Sequence, residues 1–122
     1  MTRLLTTLGL LVALADVASA ATLYSRGTAW NSTSGWRTGS CTGTNTTAVP
    51  GAGDDVVICN NMTVTVTAAA AANSISFLVS NNNSTLTINS GQTLTVGTTL
   101  SIDGPGGNVT KRVDVAGTLT VG

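Results

Sequence analysis

The sequence predicts an all-β chain, a short right-handed parallel β-solenoid behind an irregular, disulfide-tied N-terminal cap. Three observations predict it. From Asp54 onward, β-branched and leucine side chains alternate with Thr, Ser or Asp at a period of two, the signature of strands with one dry and one wet face. Those runs are near copies of one another, of the form Thr-Leu-Thr-Val or Thr-Leu-Thr-Ile, and such a unit can bury its alternate aliphatics only by stacking on another like it. The connections are short and built from Asn, Gly and Ser, and the lone Gly97 between two runs suits a corner better than a hairpin, which usually takes two or more loop residues. The alternative architecture is an antiparallel β-sandwich.

Residues 1–20 read as a signal peptide. Arg3 supplies a positive charge, residues 4–14 are a short apolar stretch, and Ala18-Ser19-Ala20 has the small-x-small form of a cleavage site. The stretch is shorter than the ~20 residues a bilayer span requires. The expected product has no membrane span and is secreted or held at the cell surface.

Residues 21–53 form the cap. They are rich in Gly, Ser, Thr and Asn, show no sustained periodicity, and carry both tryptophans, Trp30 and Trp36. The two cysteines, Cys41 and Cys59, form an even pair in an exported chain and are expected to bridge the cap to the end of the first repeat strand. A metal site would need further soft or imidazole ligands, and the sequence contains no His.

Residues 54–122 hold the repeats. The strand-like runs are 55–58, 63–67, 74–79, 85–88, 93–96, 99–102, 112–115 and 118–121. Leu86, Ile88, Leu94, Val96, Leu100, Ile102, Val113, Val115, Leu119 and Val121 are expected to point inward, and the threonines outward. Residues 68–72, all Ala, are too few to nucleate a helix and read as a small-residue corner.

Composition narrows the function classes. The chain of 122 residues is 8% charged, has a formal net charge of zero and contains no His or Glu, so groups that titrate near neutrality are nearly lacking. The reading is non-enzymatic, with no catalytic residues, cofactor or metal. No basic stripe exists to meet phosphates, which excludes nucleic acid as the expected partner. Asp54, Asp55 and Asp103 supply oxygen ligands of the kind Ca²⁺ takes, but adjacent strand residues point to opposite faces. The Gly51-Ala52-Gly53 segment leads into a strand, so the helix N-terminus that would cradle a phosphate is missing.

Two surface features carry alternative functions. Outward Thr-x-Thr pairs at Thr85/Thr87, Thr93/Thr95 and Thr118/Thr120 could order water in an ice-like lattice, which makes an ice-binding protein one alternative. The spacing between neighbouring pairs is too short for a full coil, so successive pairs are expected on different faces. Trp30 and Trp36, with Tyr24, could stack on sugar rings as a carbohydrate-binding module for surface glycans, or the tryptophans could cover the end of a coil. Asn-x-Ser/Thr sequons recur, at a frequency that the abundance of Asn, Ser and Thr accounts for.

Several segments together resemble a known group. They are Trp30-Asn31, Gly35-Trp36, the run from Val49-Pro50 through Ile58, Thr63-Val64-Thr65-Val66 and the later Leu-Thr-Ile and Leu-Thr-Val repeats. In this order, behind an export leader, they resemble the N-terminal β-solenoid segment of large bacterial surface proteins, the MshQ-like proteins of the mannose-sensitive haemagglutinin pilus system. They are similar, more loosely, to glycine-rich β-helical domains of cell-surface hyaluronan-related proteins. The resemblance implies a structural, adhesive role at a surface or pilus, with further modules beyond Gly122. Residues 118–121 complete a strand pattern with nothing after it to blunt the edge, so the expected partners are such modules or other copies of the chain, assembled into fibres.

Overall fold

The computed structural model describes residues 20–79, 82–102 and 109–122. The leader, apart from Ala20, lies outside the described residues, as does Asp103. The described chain is all-β. Its strands are β1 (Thr22–Ser25), β2 (Trp36–Thr38), β3 (Thr44–Thr46), β4 (Asp55–Ile58), β5 (Thr63–Val66), β6 (Ala70–Phe77), β7 (Ser84–Ile88), β8 (Thr93–Ser101), β9 (Lys111–Val115) and β10 (Thr118–Val121). Among the described residues, no helix is long and apolar enough to cross a membrane.

The strands form two sheets. A mixed seven-stranded sheet has the order β10-β8-β6-β4-β1-β2-β3, and a three-stranded sheet has the order β5-β7-β9. Every pairing among β4 to β10 is parallel. β1 also runs parallel to β4, and only the β1–β2 and β2–β3 pairs are antiparallel.

The parallel pairings place like residues side by side. Asp55 lies beside Ser74, and Ser74 beside Thr99. Across the other sheet Val64 lies beside Leu86, and Leu86 beside Val113. Ala70 lies beside Leu94, and Leu94 beside Leu119. The chain therefore visits the same three positions in the same order on three successive passes. Side chains at the matched positions keep the same inward or outward sense, because a strand alternates faces with a period of two.

One apolar core lies between the sheets. Val56, Ile58, Ile75, Leu94 and Val96 come from the larger sheet, and Val64, Val66, Leu86 and Ile88 from the smaller one. Leu23, Trp30 and Trp36 complete it from the N-terminal side. Burying each such side chain is worth about 1.5–3 kcal/mol, which makes this alternation the main source of order in a chain with few charges.

The corners use side chains to satisfy buried backbone. Among the described residues, Ser25 and Ser84 are the buried polar ones. The Cys59 N–H donates to Ser25 Oγ at 2.7 Å, and Ser84 Oγ donates to the Cys59 carbonyl at 2.8 Å, so one polar column runs from β1 through the first two passes at the same corner. At the opposite corner the Asn73 N–H donates to the Asp54 carbonyl, and Thr98 Oγ1 donates to the Asn73 carbonyl. Asp54 closes the turn before β4, its carboxylate accepting from the Gly51 N–H at 2.9 Å.

Four local expectations change. The 21–53 segment contains three strands, because the Trp36–Thr38 backbone pairs with β1 and so extends the sheet without any alternation of its own. The alanines at 70–72 are the first half of β6, where Leu94, Thr95 and Val96 supply the pairing that alanine propensity would not. Gly97 lies inside β8, which bends there opposite a register shift between Ala72 and Ser74 and does not break. Ile102, Val115 and Val121 are 44%, 47% and 45% exposed, since they belong to the last pass and have a neighbouring pass on one side only.

Candidate functional site: the two ends of the stacked strands

The first pass is covered. β1 lies along β4 in the larger sheet, and Ala29 forms a parallel bridge with Thr65 of β5 in the smaller one. Two backbone hydrogen bonds fix that bridge, from the Trp30 N–H to the Thr65 carbonyl at 2.9 Å and from the Thr65 N–H to the Thr28 carbonyl at 2.8 Å. Asn31 Nδ2 reaches the Ala69 carbonyl at 3.3 Å beside the start of β6. Residues 22–31 thus occupy edges that the first repeat strands would otherwise leave bare.

Trp30 and Trp36 seal this end. Both are buried, with ring centroids 5.2 Å apart and planes at 74°, an edge-to-face contact favoured by the aromatic quadrupole. Neither ring face is open to solvent, so neither can stack on a sugar in this arrangement. Trp36 stands at the start of β2, and the loop between β2 and β3 carries Cys41. The Cys41–Cys59 disulfide joins that loop to the end of β4, with the Cα atoms 5.9 Å apart. Arg37 adds a hydrogen bond from its guanidinium to the Cys41 carbonyl.

The last pass is different. Residues 99–101 of β8 pair with β6, β9 pairs with β7, and β10 pairs with the first half of β8. Among the described residues, no strand lies along their outer edges. Leu100, Val113 and Leu119 pack against the core from one side and remain half-buried. Beside them sit the exposed Ile102, Val115 and Val121, so the apolar centre of this pass is only partly covered by the described residues.

The polar groups here are few. Arg112 and Asp114 alternate on the outer face of β9 and form an ion pair at 2.9 Å, with side chains 59% and 44% exposed. An exposed pair of this kind is worth about 0–1 kcal/mol within one chain. Lys111 turns its ammonium toward the Asn82 carbonyl of the preceding pass.

The threonine pairs form two separate arrays. Thr63 and Thr65 lie in register beside Thr85 and Thr87 on the smaller sheet, where the next pass places Arg112 and Asp114. Thr93 and Thr95 lie beside Thr118 and Thr120 on the larger sheet, where the preceding pass places Ala71 beside Thr95. Of the neighbouring pairs in the sequence, Thr85/Thr87 and Thr93/Thr95 fall on different sheets, whereas Thr93/Thr95 and Thr118/Thr120, expected on different faces, share one because a full pass separates them; each array is two rungs deep.

A shallow trough of about 420 Å³ crosses the outer face of the larger sheet; sequence reading gave no signal for it. Tyr24, Val57, Ser76 and Ser101 line up along it by register, with Val79 beside them at 66% exposure. No charged residue lines it. Alternation alone marks such outward positions as polar, and the pairing of Tyr24 with Val57 is visible only once β1 is placed. Among the described residues, no cluster of three or more His, Cys, Asp or Glu side chains is placed to hold a metal ion.

Comparison with protein-family models, with curated proteins and with solved structures finds no match for this chain.

Proposed function

We propose that this chain is an exported, non-catalytic structural and adhesive surface element, built as a short right-handed β-solenoid that attaches end-on through its last pass. The observation that carries this reading is the asymmetry of the two ends. The first pass is overlaid by β1, the tryptophans and the disulfide, whereas Ile102, Val115 and Val121 of the last described pass stay largely exposed around a half-buried apolar centre. Three in-register passes support the solenoid, and parallel crossovers are right-handed in nearly all cases. Unpaired edges are what proteins normally cover, bend or charge, and strand addition along such an edge is an established mode of attachment. The disulfide is compatible with an oxidising, extracellular setting. The pilus-associated surface proteins that the sequence resembles would use such a module as a spacer or base.

The test is secretion followed by solution scattering and electron microscopy. The expected product begins at Ala21, is found outside the cell, and gives particles whose cross-section is that of a single strand-coil. Retention of residues 1–20 on a cytoplasmic product, or a profile incompatible with stacked passes, overturns the reading.

A second reading, ice binding, is favoured by the registered Thr63/Thr65–Thr85/Thr87 and Thr93/Thr95–Thr118/Thr120 arrays. It predicts thermal hysteresis that Thr87→Lys and Thr95→Lys reduce. Unaltered ice growth in the presence of the native protein ends it.

A further inference from the structure

We infer that Asn61 is a covalent modification site, the acceptor of an N-linked glycan through the sequon Asn61-Met62-Thr63. This rests on the export proposed above, since the transfer takes place on chains that leave the cytoplasm.

The sequence carries several Asn-x-Ser/Thr triplets, and the fold treats them unequally. An acceptor has to release its amide nitrogen to the sugar, and the hydroxyl two residues on has to be within reach of the transferase. In Asn31-Ser32-Thr33 the Asn31 Nδ2 donates to the Ala69 carbonyl at 3.3 Å, and the Oδ1 of the same amide is buried. Asn45 is the middle residue of β3, and its Oδ1 accepts from Arg37 Nε at 3.3 Å. In Asn82-Asn83-Ser84 the required hydroxyl belongs to Ser84, which is buried and donates to the Cys59 carbonyl. In Asn83-Ser84-Thr85 the Asn83 Oδ1 accepts from the Thr110 N–H at 2.7 Å, which holds that amide against a neighbouring segment, and Thr85 is half-buried. Asn108 lies outside the described residues.

Asn61-Met62-Thr63 differs on every count. Asn61 sits in the turn between β4 and β5, and both Asn61 and Thr63 are exposed. Among the described residues, neither side chain has a hydrogen-bond partner. The Asn61 backbone has a φ of 56°, a left-handed conformation in which Asn is enriched, and the Thr85 N–H donates to the Met62 carbonyl at 2.8 Å, so the turn is fixed while the amide stays available. Beside it is a shallow hollow of about 200 Å³, lined by these three residues with Asn83, Ser84 and Thr85. The lining is uncharged and mostly amide and hydroxyl, the chemistry that accommodates the first sugar of a glycan.

The co-reactant is an oligosaccharide linked through pyrophosphate to a lipid carrier. The Asn61 Nδ2 attacks the anomeric carbon, the C–N bond forms as the bond from that carbon to the pyrophosphate oxygen breaks, the lipid pyrophosphate leaves with the electron pair, and one amide proton passes to a base of the transferase. Nothing is oxidised or reduced.

The experiment is secretion of the full chain from a eukaryotic host that carries such a donor, with intact mass measured before and after enzymatic release of N-glycans and the site located by peptide mapping. The native chain is expected to carry one glycan, at Asn61. Asn61→Asp and Thr63→Val are expected to lose it entirely; Asp is also tolerated at a left-handed position and Val is also β-branched, and circular dichroism checks that both fold. Thr63→Ser restores the hydroxyl and is expected to keep the glycan, as are Asn45→Gln and Asn83→Gln. A glycan that persists in Thr63→Val, or that maps to another asparagine, overturns the assignment. A chain that begins at Ala21 in the medium and carries no glycan sinks this inference and leaves export standing; a chain retained in the cytoplasm with residues 1–20 attached sinks both.

Discussion

The Trp36 indole N–H donates a 2.8 Å hydrogen bond to the main-chain carbonyl of Trp30, linking the start of β2 to the residue that anchors the smaller sheet's first edge. Both residues are buried, so that carbonyl has no route to bulk water. The Trp30 indole N–H, in contrast, has no acceptor among the described residues. The two rings are therefore unequal although both are packed.

Replacing each tryptophan by Phe separates these roles. Both variants lose ring volume, but only Trp36→Phe also strands a buried carbonyl, a cost of about 1–3 kcal/mol. Trp36→Phe is expected to be the less stable of the two by that margin in urea denaturation followed by circular dichroism. Equal midpoints would show that the hydrogen bond contributes nothing net.

The disulfide ties this sealed end to the repeats. Cys41 and Cys59 are 18 residues apart in sequence, and closing a loop of that size is worth about 3 kcal/mol in the chain-entropy model. Cys41→Ser/Cys59→Ser is expected to lose roughly that much, seen as a lower denaturation midpoint. The Ser25–Cys59–Ser84 hydrogen bonds use backbone or serine atoms of the column and survive the change, so the variant should keep its strand content.

What the sequence disclosed follows from this same division between period and pairing. Residues 55–58, 63–66 and 85–88 were legible because one face of each strand is dry and the other wet, and that contrast is written residue by residue. The disulfide was legible because two cysteines in an exported chain have one simple pairing. β2 and β3 were not, since Trp36-Arg37-Thr38 and Thr44-Asn45-Thr46 become strands through pairing with β1 and each other. Alanine carries no strand signal, so 70–72 depends on its neighbours in β8. The open end was only half legible. Alternation says that Ile102, Val115 and Val121 face inward, but whether an inward side chain is covered depends on a following pass, which no local pattern encodes.

Gly117 offers a sharper test of the corner between β9 and β10. A Cβ built there would lie 2.3 Å from the Gln92 carbonyl oxygen and 2.4 Å from that of Asn89, both main-chain atoms of the preceding pass. The Thr118 N–H also donates to the Gln92 carbonyl, so the backbone cannot withdraw without losing that bond. Gly117→Ala is expected to destabilise by about 1–3 kcal/mol, the usual cost of forced overpacking. Gly53→Ala, where a Cβ meets nothing within 4 Å, is the control and should be near neutral in the same melt.

Asp55 makes one corner sensitive to acid. Its Oδ1 accepts from Ser74 Oγ at 2.7 Å and from Asn73 Nδ2 at 2.8 Å, joining the first pass to the second. The Ser74 bond, then the Asn73 bond, hold the carboxyl below its ordinary value of 3.8 against a smaller opposing effect of burial. A carboxyl that binds its proton less readily when folded stabilises the fold fully above its unfolded-state pKa. That contribution fades as the pH falls through the lower folded-state value. The native chain should therefore lose stability relative to Asp55→Asn as the pH is taken from about 6 to about 2, with the two denaturation curves converging in acid. The neutral amide still presents an oxygen to both donors, so the variant should fold. A gap between the curves that stays constant across this range would mean that the charge on Asp55 does not contribute, and that the corner is held by its neutral hydrogen bonds alone.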